Sequence, residues 1–242
     1  MSSFGPLSTE FHDAVQGRAD DAEIAWYAAR LPRGAGPVLE GLCGSGRTLV
    51  PLVRQGFHVH GVEQSGAMLA ACEAHLAAEG LTTTLFRQDV TELNLPFRYG
   101  AAYVSGGSFQ LLATLPAARR ALERIKAHLL PPGILLLDLV VPEAGLLPPG
   151  AAVVEIRMAK LAGGARITLR TETLVHADAR RLDVSSRFEK RVPNDKILMW
   201  LLARLDPRRF AMPWERRGDG DPQAEALDSF PALLEGIRDE VS

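Results

Sequence analysis

The residues best suited to chemistry lie in one short stretch and at two later positions. Glu40 to Arg47 reads EGLCGSGR, with two glycines two apart, between the apolar runs Pro37-Val38-Leu39 and Thr48-Leu49-Val50. A glycine bend between a strand and a helix lets backbone approach a ligand closely, and the helix start favours a negative group. A phosphate loop of the GxxxxGK[ST] kind needs a lysine after its last glycine, but Arg47 follows Gly46. A dinucleotide fingerprint needs Gly or Ala at its third position, where helix and strand pack closely, but Leu49 stands there. Glu63 ends the second apolar run and Asp89 follows the third. An acid at the first tip can accept from two adjacent ribose hydroxyls, and one at the second from an exocyclic adenine amine. Together these residues describe an adenosine site without phosphate chemistry, in which the helix start meets a carboxylate.

The elements that must position them alternate along residues 38–141. Val38-Leu39 reads as a strand and Arg47 to Gln55 as a helix closed by Gly56. Pro51 lies inside that helix and is expected to kink it. Phe57 to Val62 is a second strand. Ser65 caps a helix with Leu69, Cys72 and Leu76 on its apolar face and Gly80 as its stop. Thr82–Arg87 and Ala101–Val104 are the third and fourth strands. Pro116 opens a helix with Leu122, Ile125 and Leu129 inward, and Pro131-Pro132-Gly133 turns the chain into an apolar strand, Ile134–Val141. Near-continuous apolar strands separated by helices imply a doubly wound, mostly parallel α/β sheet of Rossmann-like type.

After residue 150 the period changes to two. Val154, Ile156 and Met158 alternate with Val153, Glu155 and Arg157; Ile167 and Leu169, then Leu182, Val184 and Phe188, alternate with polar residues. This predicts an antiparallel strand extension with one polar face. Ile197–Leu205 is apolar throughout, and Ala232–Asp239 reads as a short helix in a tail rich in Pro, Arg and Asp. The expected organisation is an N-terminal helical lid over residues 1–36 and a core over 37–142. Residues 143–242 form an extension and tail completing the same domain.

Composition narrows the class. The chain has 242 residues, 47% hydrophobic and 23% charged, with net charge −2, so no global electrostatic case exists for nucleic acid or an anionic membrane. Two cysteines without metal-ligand spacing exclude a disulfide framework and fit a reducing compartment. The start lacks a basic region followed by an apolar one, and no apolar run nears the roughly 20 residues that span a bilayer. The expectation is a cytoplasmic protein, monomer or homodimer, with no resident metal.

Several residues carry a plain reading beside a functional one. Cys43 is a loop cysteine without an adjacent base, and Cys72 is core. His58 and His60 share a strand face at metal-ligand spacing but lack a third partner nearby. Asp89 can instead cap the turn at Thr91-Glu92-Leu93, and Glu63 can be a solvated acid. Arg204, Arg208, Arg209, Arg216 and Arg217 flank Phe210 and Trp214, yet intervening acids make a mixed surface rather than a nucleic-acid track.

The stretch VLEGLCGSGRTLVPLVRQGFHVHGVEQSGAML resembles the first motif and following acidic strand end of class I S-adenosylmethionine-dependent methyltransferases. The resemblance continues through RQDVTEL, SGGSFQLL and LLPPGILLLDL, over roughly residues 10–142. It implies S-adenosylmethionine as cofactor. Glu40, Leu42, Gly44 and Gly46 would form the turn around its methionyl end, and Glu63 with Gln64 would lie at the ribose. Asp89 and the Val90 N–H would meet the adenine, with Ser105 on the reaction side. Leu42 replaces the usual first glycine, so φ below zero and an altered turn are expected. Ser108 and Gln110 are placed to meet an acceptor, and the acceptor implied is a small molecule, since Ser105-Gly106-Gly107-Ser108 stands in place of the Asn/Asp-Pro-Pro-Tyr signature. The alternatives are a non-catalytic binder of the cofactor or its demethylated product and a nicotinamide-dependent oxidoreductase.

Overall fold

Apolar runs build the first sheet, and those at its centre are buried on both faces. The computed structural model describes residues 4–34, 36–140, 150–161, 164–176 and 181–191. Strands β1 (Val38–Gly41), β2 (Val59–Glu63), β3 (Leu85–Arg87), β4 (Tyr99–Val104) and β5 (Leu129–Leu137) form a parallel sheet in the order β3-β2-β1-β4-β5. Every residue of β1 and β2 is buried, as helices on both faces require. The order reverses between β1 and β4, which opens a crevice at their carboxyl ends. The doubly wound α/β reading holds.

The α-helices among the described residues are α1 (Pro6–Gln16), α2 (Asp21–Ala28), α3 (Leu49–Arg54), α4 (Gly66–Ala78) and α5 (Leu115–His128). Ser65 caps α4 by accepting from the Met68 N–H at 3.2 Å, and Leu69, Cys72 and Leu76 are buried as expected. Three local expectations change. α3 begins only at Leu49, so Pro51 falls in its first turn, where a missing N–H costs no helical bond. Leu122 is exposed; Ala121, Ile125 and His128 form the buried face of α5, at spacings of four and three. β5 already begins at Leu129, opposite Tyr99, and resumes at Ile134 opposite Ala101, so Pro131-Pro132-Gly133 interrupts a strand rather than preceding it. Val141 lies outside the described residues.

The second sheet is antiparallel, in the order β6 (Ala152–Lys160), β7 (Arg166–His176), β8 (Arg181–Arg191). Its buried face carries Ala159, Ile167 and Leu169, packed with Phe11 and Leu7 of α1. The apolar row of β6 faces the other way. Val154, Ile156 and Met158 are 50%, 63% and 71% exposed. The segments at Ile197–Leu205 and Ala232–Asp239, and the arginine-rich tail, lie outside the described residues. Among the described residues no helix is long and apolar enough to cross a membrane.

Candidate active site

The carboxyl ends of β1, β2 and β4 carry a set of buried polar groups that satisfy one another. Glu40, in β1, is fully buried, and its carboxylate accepts from Tyr103 Oη at 2.7 Å, Ser105 Oγ at 3.0 Å and Thr48 Oγ1. Thr48 and Ser105 also meet, at 2.9 Å. Burial pushes the Glu40 carboxyl up to about 7, and the three hydroxyl donors oppose that rise. Tyr103 is held well above its ordinary range by burial and by the Glu40 charge.

Glu63 ends β2. One oxygen accepts the Gly44 N–H at 3.3 Å and the other the Ser65 N–H at 2.8 Å. This acid therefore ties the glycine turn to the start of α4 and is buried rather than solvated. Gln64, beside it, is half-buried, and its carbonyl accepts from Arg87 Nε at 3.3 Å. Asp89 caps the short turn Val90–Glu92, its Oδ1 accepting from the Thr91 N–H and hydroxyl, both at 2.8 Å. Val90 is buried at the first position of that turn, where an N–H has no helical partner.

The glycine turn departs from expectation at Leu42. Its φ is +57°, the one positive value at a non-glycine among the described residues, although a negative value was expected there. Its side chain packs against the cluster of Leu39, Val62, Val90 and Val104. That packing holds a conformation costing roughly 1–2 kcal/mol in an L residue, so the bend keeps a glycine-like path. Gly46 has φ +85°, and a Cβ there would sit 2.6 Å from Cys72 Sγ. Gly44 has φ +56°, with only Met68 Sδ, at 3.9 Å, near a built Cβ. Cys43 and Cys72 are buried, and their mutual contact with burial raises the Cys43 thiol. Both behave as core.

Residues that sequence reasoning passed over complete the site. On α1, Asp13 accepts from Ser45 Oγ at 2.5 Å. On α2, Glu23 pairs with Arg47, one bond being 2.8 Å. Arg47 also flanks Gly106, whose N–H donates to Asp138 Oδ2 at 3.1 Å. Asp138 is the one charged residue within the apolar run Ile134–Val141, a signal the sequence does carry. The Glu23–Arg47 pair, far apart in sequence, left no such signal. Gln110 does not present its amide to the crevice: its Nε2 and Oε1 bond the Val140 carbonyl and N–H at 2.9 and 2.7 Å. Ser108 opens a short 3-10 turn, its N–H bonded to the Ser105 carbonyl at 3.1 Å.

Two features stand apart from this edge. His58 and His60 touch through their Nε2 atoms at 3.0 Å, and Tyr99 Oη lies 3.3 Å from His60 Nδ1. Burial and His58 lower the His60 imidazole to about 4. Among the described residues no group of three or more His, Cys, Asp or Glu is placed to hold a metal ion. A cleft of about 340 Å³ lined by Arg33, Val38, Phe57 and His58 lies at the amino ends of β1 and β2, opposite the end where open α/β sheets bind ligands.

Residues 38–133 match the methyltransferase-domain family. A Geobacillus sp. (strain WCH70) protein named as a methyltransferase is 33% identical over 106 residues. That match covers 44% of this chain and 43% of the relative, so the chain spans less than half the length of the curated relative it matches. Among solved structures, the CcbJ methyltransferase from Streptomyces caelestis superposes with a TM-score of 0.54 at 20% identity, covering 84% of this chain and 87% of that one. The sugar N-methyltransferase KedS8 from Streptoalloteichus sp ATCC 53650 gives 0.52 at 22%, covering 84% and 85%. The glycopeptide N-methyltransferase MtfA, complexed with S-adenosyl-L-homocysteine, gives 0.50 at 26%, covering 80% and 79%. With its 3-2-1-4-5 sheet, glycine turn and acidic strand tips, the segment 38–133 is similar to a methyltransferase domain, and the fold is the one shared by class I S-adenosylmethionine-dependent methyltransferases.

Proposed function

We propose that the chain transfers the methyl group of S-adenosylmethionine to a small-molecule acceptor. The observation that carries this reading is Glu63, a buried carboxylate bridging the glycine turn and the start of α4. A carboxylate has about four acceptor positions. The two bonds to Gly44 and Ser65 leave room for two adjacent ribose hydroxyls. Asp89 uses Oδ1 for its turn, so Oδ2 suits an adenine amine, with the Val90 N–H beside it. Glu40, Leu42, Gly44 and Gly46 hold the methionyl end, Gln64 borders the ribose and Ser105 lines the reaction side. The donor set fits a nucleoside and offers no lysine for a phosphate chain.

When bound, the cofactor supplies a methyl group already activated by a sulfonium charge. The protein's share is to bind, orient and exclude water. Residues 1–36 serve as the lid, supported by the Asp13–Ser45 and Glu23–Arg47 bonds to the turn. The described residues from 36 to 140 form the binding core, and the described strands between 150 and 191 extend it. No residue is assigned as general base. The likeness to MtfA supports an amine-bearing small molecule as the first acceptor class. The near-neutral charge supports neither nucleic acid nor membrane as partner, and we place the protein in the cytoplasm as a monomer or homodimer.

The test is release of S-adenosylhomocysteine from S-adenosylmethionine across a panel of amine and hydroxyl acceptors. The expected result is acceptor-dependent release. Tight cofactor binding with no release on any acceptor would favour a regulatory binder, and a response to NADH alone would overturn the reading.

A further inference from the structure

The N-terminal helices bring one buried polar group to the site without giving it a partner. Tyr27, on α2, is 1% exposed, and its phenol oxygen makes no hydrogen bond among the described residues. A buried hydroxyl left unpaired costs free energy, so it calls for an explanation. Its ring packs on Tyr103 at 4.9 Å between centroids, and Tyr103 in turn bonds Glu40. The charges that act on the phenol are Asp138, Glu40, Glu23 and Arg47, which with burial hold it above its ordinary range. Arg47 is bonded to Glu23, one turn before Tyr27 on the same helix. With Glu23 and Arg47 paired, Asp138 and Glu40 remain as acids without a cationic partner, which makes the surroundings suited to a cation.

Resting on the reading above, we propose that Tyr27 is a cofactor-binding residue whose phenol oxygen accepts a hydrogen bond from the α-ammonium group of the methionyl moiety. The place is consistent: Glu40 and Tyr103 lie at the carboxyl edge of β1 and β4, beside the turn that would surround that end of the cofactor. His12, on α1, has a second unpartnered buried atom, Nδ1, and also feels Arg47. Both orphans belong to the segment that covers the turn.

The test compares Tyr27→Phe with the wild-type chain by calorimetric titration and thermal melting. S-adenosylhomocysteine carries the amino-acid end, and 5′-methylthioadenosine lacks it. Tyr27→Phe should weaken S-adenosylhomocysteine about tenfold and leave 5′-methylthioadenosine within about twofold. The melting temperature of the ligand-free variant should equal or exceed that of the wild type, because an unpaired buried hydroxyl has been removed. Equal weakening of both ligands, a lower ligand-free melting temperature, or unchanged binding of both would each overturn the assignment. Failure of the wild-type chain to bind either nucleoside would instead overturn the methyltransferase reading.

Discussion

The parallel core and the antiparallel extension solve burial in different ways. In the core, polar groups at the strand ends are buried and bonded to one another: Glu40 to three hydroxyls, Glu63 to two backbone N–H groups. In the extension, charged pairs such as Arg170–Glu172 at 2.7 Å lie half in solvent, and β6 turns its apolar row outward. Exposed pairs of that kind contribute about 0–1 kcal/mol. Buried groups that lose a partner cost more. The core edge should therefore be sensitive to single atoms, and the open face of β6 should not.

The contrast is sharpest at Gly46. Gly46→Ala forces a Cβ to 2.6 Å from Cys72 Sγ at φ +85°, so a loss of about 3 kcal/mol or more is expected in urea unfolding. A comparable effect belongs to pH. The Glu40 carboxyl is raised from 4.5 to about 7 in the fold, so its contribution is fully present below about pH 4.5 and is lost as pH rises through about 7. The expected decline over that window is about 3 kcal/mol, and Glu40→Gln should flatten it. Glu63→Ala leaves two backbone N–H groups without their acceptor and should cost about 2 kcal/mol even without ligand. At the other end, Met158→Ser, on the most exposed of the three β6 positions, should stay within about 0.5 kcal/mol. A large loss there, or a small one at Gly46, would break the comparison.

The same contrast explains what was legible in the sequence. Strands buried on both faces announce themselves as apolar runs, so the parallel sheet and the tips at Glu63 and Asp89 were readable. Alternation gave the antiparallel strands too, but it cannot say which face is covered; Ala159, Ile167 and Leu169 against α1 decide that. Leu42 misled because local sterics forbid its conformation, while packing against Leu39 and Val62 enforces it. Gln110 misled because its amide is bonded to the backbone of Val140, a contact across distant chain. Tyr27 lies in the expected N-terminal lid segment, and only its unpartnered oxygen distinguishes it.

The most direct measurement is a thermal-shift comparison of S-adenosylmethionine, S-adenosylhomocysteine, NAD and ATP on the wild-type chain. A ligand at a hundred times its dissociation constant stabilises by about 2.7 kcal/mol. The two adenosyl sulfur compounds should raise the melting temperature, and NAD and ATP should not. A shift with NAD or ATP, and none with the sulfur compounds, would contradict a nucleoside held without its phosphates between the glycine turn and the two acidic tips.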